Sequence, residues 1–297
     1  MTFNHAEYQD LYPFKPQYFS HTSGLKQHYV DEGNGEPLVM VHGNPSWSFL
    51  YRDMIKTFSG EFRCVAPDHI GCGLSDKPGL DSFNYTLREH IDNLEELIES
   101  LHFTQPINLV VHDWGGAIGM GYATRHPEKI RRMVILNTGA FRLPQSSPFP
   151  WPLWIFRHTD FGACLNQTFN AFSFIASHTC SLKGMSRKIR HGFRAPYDCP
   201  ENRVATTRFV QDIPLTPNDP SYSELVGIEE NLRKLADKPA LICFGRLDFV
   251  FNRHFYNEWQ RHFPKAAAHN FHAGHYVLED AGSEIFALMR ELFAAKA

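Results

Sequence analysis

The chain has 297 residues, 43% of them hydrophobic and 14% aromatic, with a net charge of −3. That length suits one large α/β domain with room for an inserted subdomain, and the near-neutral balance excludes a basic nucleic-acid face or a charged tail. No apolar run reaches the ~20 residues a membrane helix needs.

The N-terminal stretch from Met1 to Asp10 lacks the basic and apolar regions of a secretion signal. The six cysteines are scattered with no CxxC pair. They read as reduced thiols of a cytoplasmic protein rather than a disulfide or zinc framework. Oligomeric state is not legible.

Five apolar runs predict strands, at 36–42, 62–68, 107–111, 133–136 and 239–244. Between the second and third, Leu87, Ile91, Leu94, Ile98 and Leu101 recur every three or four residues among charges, which predicts an amphipathic helix over 85–101. Continuous apolar strands alternating with helices predict a mostly parallel twisted sheet covered on both faces. From Arg142 to Asp212 the rhythm breaks. Prolines at 144, 148, 150, 152 and 196 and a dense aromatic set, Phe149 to Phe174, predict a helical cap over 142–212, inserted into a core of 1–141 and 213–297.

The chemistry gathers at strand ends. Val111-His-Asp-Trp-Gly-Gly follows an apolar run and opens a Gly- and Ala-rich helix. That is the strand–turn–helix elbow that holds a nucleophile, with Val111 in place of the usual first glycine and Asp113 in place of serine. A serine attacks acyl carbons; a carboxylate can attack an alkyl carbon and leave an ester. The alternative reading of Asp113 is a helix N-cap, which leaves the following glycines unexplained. Asp248, in Gly245-Arg-Leu-Asp after the fifth strand, is a candidate orienting acid or a turn residue. His275, in Ala273-Gly-His-Tyr, is the candidate base, with His272 as its rival. The order nucleophile, acid, histidine matches the strand-end pattern of such sites.

His42-Gly-Asn-Pro-Ser-Trp follows the first strand. Its turn offers a backbone N–H, that of Asn44, beside the N–H of Trp114. The Asn44 carboxamide and the Trp114 indole add two neutral N–H donors, suited to a departing halide ion; alternatively Asn44 caps the turn before Pro45. Pro67-Asp-His-Ile-Gly-Cys-Gly-Leu-Ser-Asp lacks GxGxxG or a Walker Lys-Ser/Thr pair, so a phosphate loop is excluded. Asp68, Ser75 and Asp76 are expected to bind local backbone. No HExxH or Cys/His set appears, so no metal or organic cofactor is implied.

Taken together, these motifs resemble the haloalkane dehalogenase family of α/β-hydrolases, and the resemblance spans nearly the whole chain. It implies Asp113 as nucleophile, His275 as base, Asp248 as acid, and Asn44 with Trp114 as halide ligands. Some dehalogenases carry a glutamate after the strand preceding the cap. Here that region reads Leu136-Asn-Thr-Gly, without a carboxylate. The pattern resembles the third dehalogenase subfamily, which is itself similar to β-lactone decarboxylases of bacterial olefin biosynthesis.

The expectation is hydrolytic dehalogenation: Asp113 displaces halide, and water activated by His275 hydrolyses the resulting ester to the alcohol. The alternative is opening of a β-lactone by the same Asp113, giving a cis-alkene and CO2. Either way the partner is a small hydrophobic substrate. An epoxide hydrolase would need cap tyrosines, of which only Tyr197 is present. An inactive binding module would not need the three residues and two donors.

Overall fold

The computed structural model describes residues 5–145 and 147–295. Eight strands form one sheet: β1 (Gln17–Ser20), β2 (Lys26–Glu32), β3 (Glu36–Val41), β4 (Phe62–Pro67), β5 (Ile107–Asp113), β6 (Ile130–Thr138), β7 (Ala240–Gly245) and β8 (Ala267–Phe271). Their order across the sheet is β1-β2-β4-β3-β5-β6-β7-β8. All pairings are parallel except β1–β2 and β2–β4. This is the mostly parallel sheet expected, with antiparallel pairing confined to one edge. There the short loop after Glu32 and the turn after Ser20 allow antiparallel neighbours, which need no crossover helix.

Strand alternation sends side chains to two cores. Val39 and Val41 of β3, Leu109 and Val111 of β5, and Ile242 of β7 face one cluster. Leu38 and Met40, Val110, and Leu241 with Cys243 face the other. Because both faces are covered, these strands have no polar side, which is why they read as continuous apolar runs.

On the first face lie α2 (Leu87–Ser100) and α3 (Trp114–Arg125). The helix expected over 85–101 is α2. It starts where Thr86 and Glu89 form a reciprocal capping box, and it buries Leu87, Ile91, Leu94 and Ile98. On the second face lie α1 (Arg52–Phe58) and α11 (Val277–Ala294), the latter burying Val277, Ile285 and Met289.

The 142–212 segment holds α4 (Trp151–His158), α5 (Asp160–Phe169), α6 (Ala171–Thr179), α7 (Arg187–Arg194) and α8 (Val204–Gln211). The chain then returns through α9 (Tyr222–Asn231) to β7, and α10 (Arg253–His262) joins β7 to β8. Among the described residues no helix is long and apolar enough to cross a membrane.

The chain runs from β3 outward to β4, then crosses back to β5 on the other side of β3. That reversal opens a crevice at the carboxyl ends of β3 and β5, where ligands bind in open α/β sheets. Leu109, wholly buried in the middle of β5, measures how much the site leans on this core. Leu109→Ala is expected to cost about 3 kcal/mol of unfolding free energy, read as a lower midpoint in urea at unchanged slope.

Candidate active site

Asp113 is the last residue of β5 and stands at φ 52°, ψ −128°. A non-glycine residue with positive φ is strained and must be held by its surroundings. Two holds are visible. The Thr138 hydroxyl donates to the Asp113 carbonyl oxygen. Small residues let the turn close: a Cβ on Gly116 would lie 1.8 Å from Thr138 Oγ1, and one on Gly43 would lie 2.0 Å from Asp113 Oδ1. The Asp113 side chain makes no helix-capping bond, so the N-cap reading fails.

The Asp113 carboxylate instead turns towards the β3 loop. The Asn44 backbone N–H donates to its Oδ1 at 2.6 Å, and the Trp114 backbone N–H also bonds to it. His42 shapes that loop. Its Nδ1–H donates to the Gly43 carbonyl at 2.7 Å, and its Nε2 accepts the His69 N–H at 3.0 Å. Burial lowers the pKa of His42, keeping the neutral tautomer that these two bonds require.

His275 lies just after β8 and reaches both carboxylates. Its Nδ1–H donates to Asp248 Oδ2 at 2.7 Å, and its Nε2 stands 3.6 Å from Asp113 Oδ2. The ring lies against Phe251, with centroids 5.8 Å apart. His272, the rival base, is exposed and hydrogen-bonds Arg246. It takes no part in this arrangement.

The environment drives the two carboxyl groups apart. Burial raises the Asp113 carboxyl, only partly offset by His275 and the N–H groups of Asn44 and Trp114. Burial opposes ionisation of Asp248 too, but there the His275 charge and hydrogen bonds from His275, Val250 N–H and Asn137 win, and its pKa falls. His275 is correspondingly raised: burial works against its charged form, and Asp248 and then Asp113 outweigh that.

Three contributors escaped sequence reasoning. Asn137 sits at the position noted only for lacking a carboxylate. It donates to Asp248 Oδ2 at 2.8 Å, and its own Oδ1 accepts the Gly245 N–H at 2.7 Å. His112 is buried and donates from Nε2 to the His275 carbonyl at 2.9 Å. Burial, then the neighbouring His275 charge, pushes His112 down to about 3, so it stays neutral and cannot compete for the proton. Asp280 accepts the Gly274 N–H at 2.8 Å and the Ser181 hydroxyl at 2.7 Å. It thereby ties the loop carrying His275 to the 142–212 segment. Asn137 and His112 lie more than a hundred residues from the groups they position, and Asp280 sits in a turn that no motif marks.

Asn44, Asp113, Trp114 and His275 line one cavity of about 180 Å3. Its remaining walls are largely apolar and come from both sides, including Leu153, Phe156, Phe172, Val210 and Phe251. The Asn44 carboxamide nitrogen donates to the Thr206 carbonyl at 3.1 Å. Since that carbonyl can only accept, the orientation of the amide is fixed, and the second N–H of the group remains available. The Trp114 indole N–H makes no hydrogen bond among the described residues, and its ring packs on Phe209. Tyr197, the one tyrosine of residues 142–212, is buried elsewhere. Its hydroxyl bonds Ser46 and Gly73 backbone, so it is not available to protonate an epoxide.

The glycine-rich Pro67–Asp76 segment binds local backbone through Asp68 and Ser75 as expected, whereas the Asp76 carboxylate instead accepts the Lys26 N–H of β2 at 2.7 Å. Ser75 donates to the Asp68 carbonyl, while Asp68 accepts the N–H groups of Leu74 and Ser48. Apart from the site, Glu229, Glu258 and His262 come close enough together to chelate a cation. Glu229 is engaged by Arg142, and Glu258 by Arg261.

A strained carboxylate at a strand–helix elbow, backed by an imidazole and a second carboxylate in strand order, defines an α/β-hydrolase. The chain belongs to this family: residues 36–282 match the α/β hydrolase fold family. It is 53% identical over 277 residues to a cis-3-alkyl-4-alkyloxetan-2-one decarboxylase of Shewanella oneidensis, covering 93% of this chain and 87% of the relative. It is 31% identical to a haloalkane dehalogenase of Mycobacterium marinum, covering 94% and 95% of the two chains. The crystal structure of a haloalkane dehalogenase from Bradyrhizobium elkani superposes with a TM-score of 0.82 at 23% identity, over 95% of this chain and 100% of that one. That last likeness is one of fold.

Asp248→Asn removes the charge that most strongly raises His275. The imidazole pKa should fall, because burial then acts with little opposition. Titration of the His275 ring protons by NMR checks this; an unmoved or higher value would mean that Asp248 does not set the charge of His275.

Proposed function

We propose that the protein is a β-lactone decarboxylase acting on cis-3,4-dialkyl oxetan-2-ones, with Asp113 as nucleophile and 142–212 as the cap that holds the alkyl chains. The observation that carries this choice over dehalogenation is the identity to the Shewanella decarboxylase, 53% against 31% for the Mycobacterium dehalogenase at similar coverage. The Asp113–His275–Asp248 geometry and the apolar cavity support a carboxylate nucleophile in either case.

In this reading Asp113 Oδ2 attacks C4 of the lactone from the side opposite the ring oxygen. The C4–O bond breaks, and its electron pair goes to the freed carboxylate. The neutral donors of Asn44 and Trp114 receive that developing charge. The C3–carboxylate bond then breaks, its pair forms the C3=C4 double bond, and the Asp113 oxygen leaves C4 as carboxylate again. Alkene and CO2 depart. No water is consumed and no net proton moves. His275, kept charged by Asp248, steadies the Asp113 carboxylate before attack and after release. Inversion at C4 followed by anti elimination preserves the cis relation of the two chains.

The second reading, a haloalkane dehalogenase, is favoured by one feature: the uncommitted N–H donors of Asn44 and Trp114 suit a halide as well as a carboxylate. There His275 must be neutral to deprotonate the water that hydrolyses the Asp113 ester. A raised His275 pKa means that this hydrolysis fails as pH falls through that raised value, while ring opening with decarboxylation does not need the neutral form.

The two readings separate in a paired assay of a cis-dialkyl β-lactone and a 1-bromoalkane. The lactone should give cis-alkene with a kcat/KM at least about a hundredfold higher, some 2.7 kcal/mol in transition-state stabilisation. Asp113→Asn should abolish alkene formation. Efficient release of bromide with no alkene from the lactone would overturn the proposal in favour of the dehalogenase.

A further inference from the structure

The 142–212 segment differs in charge from the rest of the chain. It carries nine Lys and Arg against four Asp and Glu, within a chain that carries 29 against 32. From Phe161 to Tyr197 there is no acidic residue. The same segment exposes large apolar rings. Trp151 is 74% exposed, Phe169 70% and Phe161 66%, with Trp154 and Phe174 about half exposed. Monomeric proteins seldom leave so many large rings in water without a use for them.

These residues lie on α4, α5 and α6, which pack on one another in sequence, and α7 packs on α6. The aromatic and basic sets meet there: the Arg194 guanidinium sits over the Phe174 ring at 5.2 Å. Leu182 and Lys183, both exposed, follow α6, and Arg187 is exposed at the start of α7. Neither Lys183 nor Arg187 has an ion-pair partner among the described residues. The cavity opens on this side. Ile175 and Phe249 both line it and remain nearly half exposed, and Trp151 stands between the lining residues Pro150 and Pro152.

We infer that this face docks on the surface of an anionic lipid bilayer, with the mouth of the cavity against the membrane. The chemistry matches on both counts. Trp and Phe side chains insert at the headgroup boundary, and Lys and Arg are drawn to acidic headgroups. A protein partner would more usually leave acidic rim residues among the rings, and none occurs from Phe161 to Tyr197. The docking delivers water-insoluble dialkyl substrates from the bilayer directly into the apolar cavity and returns an alkene to it. The identity of the cargo rests on the lactone reading; the docking itself does not.

Flotation with vesicles tests it without turnover. The full-length protein is mixed with phosphatidylglycerol/phosphatidylethanolamine vesicles or with pure phosphatidylcholine vesicles and recovered by density. The expected result is recovery with the anionic vesicles that weakens in 0.5 M salt. Lys183→Glu with Arg187→Glu, and separately Trp151→Ala with Phe161→Ala, should each reduce binding at least about tenfold, with turnover of a dispersed short-chain substrate unchanged. Absence of flotation with either vesicle type would overturn the inference, as would undiminished binding by both variants. Light scattering that shows a self-assembled species dissolved by Trp151→Ala with Phe161→Ala would also overturn it, in favour of a second copy as occupant. Loss of alkene formation with membrane binding intact would instead count against the lactone reading alone.

Discussion

One imidazole between two buried carboxylates governs this molecule. Three ionisable groups sit where the sheet and the 142–212 segment exclude water, and burying charge is costly unless each group is matched. Asp248 is matched fully, with His275, Val250 N–H and Asn137 around it. Asp113 is matched only in part. Its burial cost exceeds what His275 and two backbone N–H groups return, so its carboxyl is raised. The difference separates the roles available to two chemically identical side chains. In the proposed reading the well-matched carboxylate anchors the imidazole, and the under-matched one gains by forming a bond.

The rest of the architecture serves that imbalance. β3, β5, β7 and the loop after β8 bring their ends to one crevice because the sheet reverses its winding between β4 and β5. The 142–212 segment is stitched to the core by several hydrogen bonds, and two sets of them reach the crevice itself. The Thr206 carbonyl holds the Asn44 carboxamide, and Asn166 in turn holds the Thr206 hydroxyl at 2.9 Å. Asp280 binds Ser181 and the N–H groups of Leu182 and Lys183 on one side and Gly274 N–H on the other. A shift of the helices must therefore move the Asn44 carboxamide, which lines the same cavity as Asp113, or the loop that carries the imidazole.

Much of this was legible in the sequence, for physical reasons that also explain what was not. The five central strands announced themselves because burial on both faces leaves no polar alternation. β1, β2 and β8 did not, since Gln17–Ser20, Lys26–Glu32 and Ala267–Phe271 lie towards the edges of the sheet and mix polar with apolar residues. Asp113, Asp248, His275, Asn44 and Trp114 stood out as candidates because each sits in a local motif whose glycines or order demand an explanation. The structure brings all five to one cavity or its immediate support. Asn137, His112 and Asp280 were missed as positioning groups because their partners lie more than a hundred residues away or on another layer, or, for Asp280, in a turn with no signature. The choice between halide and lactone was also out of reach, since both reactions ask the same five residues for the same first step.

That choice turns on whether water ever attacks the Asp113 ester, and a labelled-solvent turnover tests it most directly. The enzyme is run for many turnovers on a cis-dialkyl β-lactone in H2 18O, with Asp113→Asn as control, and the peptide containing Asp113 is then weighed by mass spectrometry. The decarboxylation route expects cis-alkene from the parent protein, none from the variant, and no 18O in the Asp113 peptide. A hydroxy acid as product with 18O built into the Asp113 carboxylate would contradict it, because that label can enter only through hydrolysis of an ester on this residue.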